Sequence, residues 1–78
     1  MSAARRRSTM LGGDLREARI QRGLSIRELA EISGLSREAV SSVERGAKYP
    51  NLHTLECLAD ALQIRIVIDP QETIVERA

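Results

Sequence analysis

The sequence predicts an all-α bundle of four to five short helices containing a helix-turn-helix, followed by one short C-terminal β-strand. Three observations carry that prediction. Helical segments along the first 46 residues close in turn on Gly23, Gly34 and Gly46, and Ser25 and Ser36 open the second and third. Apolar residues make up 42% of the chain, yet Phe and Trp are absent and Tyr49 is the sole aromatic, so the core is built from Leu, Ile, Val and Ala. Side chains of that size suit closely packed helices better than a sandwich. Finally, the period changes from helical to alternating at Ile64, Ile66 and Ile68. At 78 residues the chain is one domain near the lower limit for a single core, and dimerisation is a natural further source of stability.

Residues 1–9 are small, polar and basic and read as a disordered arm whose Arg5, Arg6 and Arg7 suit phosphates or a minor groove. The domain proper is expected over residues 10–63. From Met10 to Arg22, Leu11, Leu15 and Ala18 recur at helical spacing, and Gly23 ends the helix. Ser25 caps the second helix with Glu28 in capping-box position, and Leu29, Ala30 and Ile32 form its buried side. Ser36 caps the third, with Val40 and Val43 facing inward. Pro50 forbids its continuation, and Asn51 caps a fourth helix that carries Leu52, Leu55, Leu58, Ala59 and Leu62 on one face.

Residues 64–69, IRIVID, alternate and are rich in β-branched side chains, so they read as a strand that Pro70 ends. Residues 70–78 are expected to be a flexible tail or a frayed helical turn. A lone strand leaves its backbone donors and acceptors without partners. The economical solution is the same strand from a second copy, paired antiparallel about a two-fold axis through Ile64, Ile66 and Ile68.

Several function classes fall away. Cys57 is the single cysteine, so no internal disulfide forms and a reducing cytoplasm is the expected compartment; the thiol reads as a small apolar helix residue. No apolar run approaches the roughly 20 residues needed to span a bilayer. No signal peptide is expected either, because the basic residues of MSAARRRSTMLGG precede no apolar stretch. His53 is the only histidine and has no cysteine or histidine at the spacing of a zinc signature. Neither a nucleophile–base pair nor a phosphate loop is present, so neither an enzyme nor a cofactor is expected. Net charge is only +1, but residues 1–48 hold ten basic against six acidic residues, and residues 49–78 hold two against five.

Residues 15–62, LREARIQRGLSIRELAEISGLSREAVSSVERGAKYPNLHTLECLADAL, contain RGLS, ELA, GLS, VSSVERG and TLECLADAL in order and without gaps. This segment resembles the Cro/C1-type (XRE) helix-turn-helix family of repressors, which implies a lambda-repressor-like bundle. The following strand resembles one through which some antitoxin-type members dimerise. The resemblance implies that the third helix enters a DNA major groove, with Arg37, Glu38 and Ser42 as base-contact candidates. Arg pairs bidentately with guanine, and Glu accepts from the cytosine amino group. Ser36, Ser41, Arg27, Arg45, Lys48 and the three N-terminal arginines become phosphate-contact candidates. Glu44 takes a structural role within the helix pair.

The implied function is a dimeric, sequence-specific DNA-binding transcriptional regulator, a repressor reading a short inverted repeat in double-stranded DNA. Three features point elsewhere. The family's usual Gln at the start of the second helix is Ile26 here, Ile20 lies off the core face of the first helix, and Glu38 stands on a weakly basic face. They favour the alternative of a protein-binding module, an antiactivator or antitoxin that docks Ile20 and Ile26 on a transcription factor or toxin.

Overall fold

The computed structural model describes residues 5–8, 11–47, 49–68 and 73–77. Along the chain these form β1 (Arg5–Ser8), α1 (Leu11–Gln21), α2 (Ile26–Ser33), α3 (Arg37–Arg45), α4 (Leu52–Leu62), β2 (Ile64–Ile68) and β3 (Thr73–Arg77). Met10, expected to begin the first helix, and Asp69, expected to end the strand, lie outside the described residues.

Local chemistry sets the helix ends. The Ser25 hydroxyl accepts from the Glu28 N–H at 3.0 Å while a Glu28 carboxylate oxygen accepts from the Ser25 N–H at 2.9 Å, closing a capping box around α2. Ser36 accepts from the Ala39 N–H in the same way at α3, and Asn51 Oδ1 from the Thr54 N–H at α4. The Ser25 N–H holds the Glu28 carboxyl below its ordinary range, aided by the Ser25 hydroxyl. Since the folded-state pKa is depressed, Glu28 stabilises α2 above the ordinary carboxylate range, and that contribution is lost as pH falls through its lowered value. Ser25→Ala removes half of the box and should cost about 1 kcal/mol near neutral pH. In chemical denaturation, its deficit relative to the parent should shrink on acidification; a deficit independent of pH would contradict the coupling.

The core joins Leu11, Leu15 and Ala18 of α1 to Leu29 and Ala30 of α2, Val40 and Val43 of α3, and Leu55, Leu58 and Leu62 of α4. Two isoleucines depart from expectation for one reason. At 3.6 residues per turn, Ile26 falls between Leu29 and Ala30, roughly 60° from the first and 40° from the second. It is half-buried and packs on the core instead of standing exposed. Ile32 falls outside that arc and is 58% exposed, although expected inside. Ile20 lies opposite the Leu11/Leu15/Ala18 face and is exposed, as expected.

The strand content exceeds expectation. A three-stranded antiparallel sheet has the order β1-β3-β2. Pairing of β2 with β3 runs from Ile64↔Arg77 to Ile68↔Thr73, and pairing of β1 with β3 from Arg5↔Glu76 to Ser8↔Thr73. Val75, 3% exposed, anchors the sheet in the core beside Ile64 and Ile66. On the alternate register positions Arg65 pairs with Glu76 at 3.7 Å. Three expectations are thereby corrected. Arg5–Ser8 is a strand and not a disordered arm, and Thr73–Arg77 is a strand and neither a flexible tail nor a helical turn. β2 finds its backbone partner within the chain, so it does not need a second copy to satisfy that edge. Because β3 is central, no strand among the described residues pairs with the other edge of β2.

At the opposite end of α1, Arg22 Nε donates to the Leu62 carbonyl at 2.6 Å and Nη2 to Gln63 Oε1 at 2.8 Å. These bonds fasten α1 to the end of α4, where Gln63 adopts a left-handed φ of 55° to start β2.

Candidate nucleic-acid interface

The helix pair α2–α3 is set by its turn. Gly34, at φ 78°, lets the chain reverse, and the Gly34 and Leu35 N–H groups both donate to the Ala30 carbonyl. Leu35 packs on the core behind the turn. Val40 and Val43 then bury one side of α3, so Glu38, Ser41, Ser42 and Arg45 share the side turned away from the core, with Arg37 at its edge.

Two contacts fix the rear of α3 against α1. Arg19 Nε and Nη2 donate to the two carboxylate oxygens of Glu44 at 2.7 and 3.0 Å, and Nη1 donates to the Leu24 carbonyl at 2.8 Å. The two side chains are 11% and 6% exposed. The hydrogen bonds to Glu44 raise the Arg19 pKa above its ordinary value despite burial, so the cation persists at every working pH. Glu44 is structural, as the family resemblance implies, but its partner lies in α1 and not in the helix pair. Arg19 was not anticipated. Its only sequence signal is a charge four residues after Leu15, at the edge of an apolar face. The second contact is backbone packing: a Cβ at Gly12 would collide with the Val43 carbonyl oxygen and lie 2.8 Å from that of Glu44. A helical glycine at this crossing lets α1 approach the last turn of α3.

The remaining candidates are distributed as follows. Arg37 is exposed and has no intramolecular partner among the described residues. Glu38 is exposed and receives Arg45 Nη2 at 3.3 Å, a seven-residue span along α3. Arg45 Nε also approaches the Ser41 carbonyl at 3.4 Å. Ser41 and Ser42 are half-buried, and the Ser36 hydroxyl oxygen is occupied as the α3 cap. Arg27 forms an exposed pair with Glu31 at 3.6 Å, and the shallow depression between α2 and α3 brings Arg27 and Arg37 to one opening. Arg5, Arg6 and Arg7 belong to β1 and not to a free arm. Lys48 lies outside the described residues. An outward helix rimmed by guanidinium groups and seated on a rigid two-point mount can dock in a groove lined with acceptors and flanked by phosphates.

A helix pair mounted in this way, inside a four-helix bundle, belongs to the XRE-type helix-turn-helix family, whose helix-turn-helix model matches residues 15–68. An HTH-type transcriptional regulator of Sinorhizobium fredii, itself uncharacterised, is 41% identical over 58 residues, 74% of this chain. The chain spans 30% of that relative's length. The restriction-modification controller protein C.AhdI from Aeromonas hydrophila superposes with a TM-score of 0.67 at 42% identity, over 80% of this chain and 88% of its own. The P22 c2 repressor, solved in complex with a synthetic operator, superposes with a TM-score of 0.67 at 30% identity, over 72% and 85% of the two chains. The lambda-repressor-like bundle expected from the sequence is thus the fold. Among the described residues no helix is long and apolar enough to cross a membrane.

Proposed function

We propose that the chain is a cytoplasmic DNA-binding transcriptional regulator that acts as a repressor, with a homodimer setting two α3 helices on a short inverted repeat. The observation that carries this reading is the outward face of α3, where Arg37 is exposed and has no partner among the described residues while the rear of the helix is fixed by Arg19 and Gly12. Two such helices related by a two-fold axis reach half-sites about one DNA turn apart, roughly 34 Å. Arg37, Glu38 and Ser42 read base edges; Glu38 accepts from a cytosine amino group once Arg45 swings from it to a phosphate. Arg27, Ser36, Ser41, Lys48 and the arginines of β1 supply the remaining backbone contacts. The other edge of β2, carrying Ile64, Ile66 and Ile68, is the surface along which two copies pair. A regulator held across a promoter in this way represses by excluding polymerase. Binding of the P22 c2 repressor to an operator supports the same reading for a chain of this fold.

The alternative of a protein-binding module loses its main support. Ile26 packs on the core, so the apolar patch it was to form with Ile20 is not assembled.

The test is a fluorescence titration of the protein against the DNA upstream of its own gene and against random duplex, at about 50 and 200 mM salt. Affinity should fall steeply with salt on both duplexes while preference for the upstream DNA persists. Arg37→Ala should cost about 1–3 kcal/mol at one base-pair position and relax specificity there, whereas Arg27→Ala weakens all sequences alike. No binding to either duplex at micromolar protein in low salt would overturn the reading. A chain that sediments as a monomer on and off the operator would overturn its two-fold part.

A further inference from the structure

Given the DNA-binding reading, on which this rests, we infer that the Glu38–Arg45 ion pair is a latch on the outward side of α3. It stays closed on unmatched DNA and is released where a cytosine amino group replaces Arg45 as the partner of Glu38. The two residues stand seven positions apart, which places them about 20° from one line along the helix and about 10 Å apart in rise. Arg45 covers that distance by lying back toward the helix N-terminus, the direction in which helical side chains tilt. Its Nη2 donates to Glu38 Oε2 at 3.3 Å, and its Nε approaches the Ser41 carbonyl at 3.4 Å. The guanidinium thus rests on the middle turn of α3. Ser41 and Ser42 flank it, about 60° to one side of Glu38 and about 40° to the other. A base edge brought against this turn meets Arg45 before it meets either serine.

Charge decides which state holds. Arg45 is 60% and Glu38 82% exposed, and a pair this exposed is weak in solvent and easily opened. Between phosphates the balance changes, because a carboxylate stripped of its cation is repelled by the nucleic-acid backbone. Among the described residues Arg45 is the cation paired with Glu38. If Arg45 moves to a phosphate, Glu38 stays in the groove only where a base-edge donor succeeds it, and cytosine supplies one through N4. Guanine and thymine offer acceptors alone, so there Arg45 remains on Glu38 and the phosphate contact is not made. One mismatch thereby removes two contacts, one to the base and one to the backbone. The penalty is larger than for a base-reading side chain acting alone.

The intact chain is tested on a duplex enriched by the protein from a randomised pool and on a random duplex of equal length. The Arg45 Nε–H NMR signal, assigned by its loss in Arg45→Gln, reports the latch. In the parent that signal should keep its free-protein position on random duplex and move on the enriched one. In Glu38→Gln, which keeps the parent's circular dichroism because the site is solvent-exposed, it should move on both. The same variant should bind random duplex about threefold more tightly and lose about tenfold of the preference for the enriched duplex, at one C–G pair. A parent signal that moves alike with both duplexes, or with neither, overturns the latch. So does a Glu38→Gln protein whose affinity rises by one factor on both duplexes, the result expected of a charge that reads no base. Binding to neither duplex removes the DNA reading itself, whereas either of those results on a protein that binds DNA removes the latch alone.

Discussion

Gly12→Ala lowers the melting temperature by roughly 15 °C, corresponding to about 3 kcal/mol, the upper part of the range for overpacking a tight contact. The sign is the informative part. Glycine inside a helix costs about 1 kcal/mol relative to alanine, so helix propensity alone would make the substitution stabilising. Here the new methyl meets two backbone carbonyl oxygens of α3, Val43 and Glu44, which cannot rotate away as a side chain could. Relief requires α1 and α3 to separate, which also strips the buried Leu15 and Val40 of neighbours. Thermal unfolding followed by circular dichroism decides the matter: an unchanged or raised midpoint means that the two helices are not in backbone contact.

Glu44→Ala should be of comparable size, about 3–5 kcal/mol, because it leaves the Arg19 guanidinium in a largely buried site with the Leu24 carbonyl as its remaining hydrogen-bond acceptor. The double variant Arg19→Met/Glu44→Leu should recover most of that loss, since two apolar side chains incur no desolvation penalty. A denaturation cycle over the four proteins measures the coupling, and additive losses would remove the ion pair from the account. Molar salt should change the parent little, as screening acts weakly on a pair this buried. The double variant also separates stability from presentation. It should be stable yet discriminate less between operator and random DNA, because the bidentate fork fixes the angle of α3 and two flexible apolar chains do not.

The helical half of the molecule was legible because its signals are local. Ser25, Ser36 and Asn51 each bond a backbone N–H three residues on, and Gly34 and Gly46 each take the left-handed conformation that stops a helix. What escaped depends on partners far along the chain. In β1, RRRS has no alternation of apolar residues, and it becomes a strand because β3 offers an edge. The Asp-Pro step at residues 69–70 lies between two β-branched runs and is as much a turn signal as a strand terminator. Arg19 needs Glu44, 25 residues away, and neither position announces the other. The helical wheel of α2 distinguishes its two isoleucines, for Ile26, and not Ile32, falls on the arc of Leu29 and Ala30. The outward side of α3 follows from the burial of Val40 and Val43 alone, whereas the two contacts that hold its rear, at Gly12 and Arg19, depend on residues of α1.

The sheet order also says something about time. Its central strand, β3, follows the four helices in the sequence, and the β1–β3 ladder sets Arg5 beside Glu76. Loop-closure entropy makes such distant pairings slow, whereas the four helices and their neighbouring contacts form from short separations. During synthesis the helical bundle can therefore be assembled while β1 still waits for residues that have not emerged. The ladder behaves as a clasp, fastened after the helices, and the pace of maturation is set by β3 and not by α3.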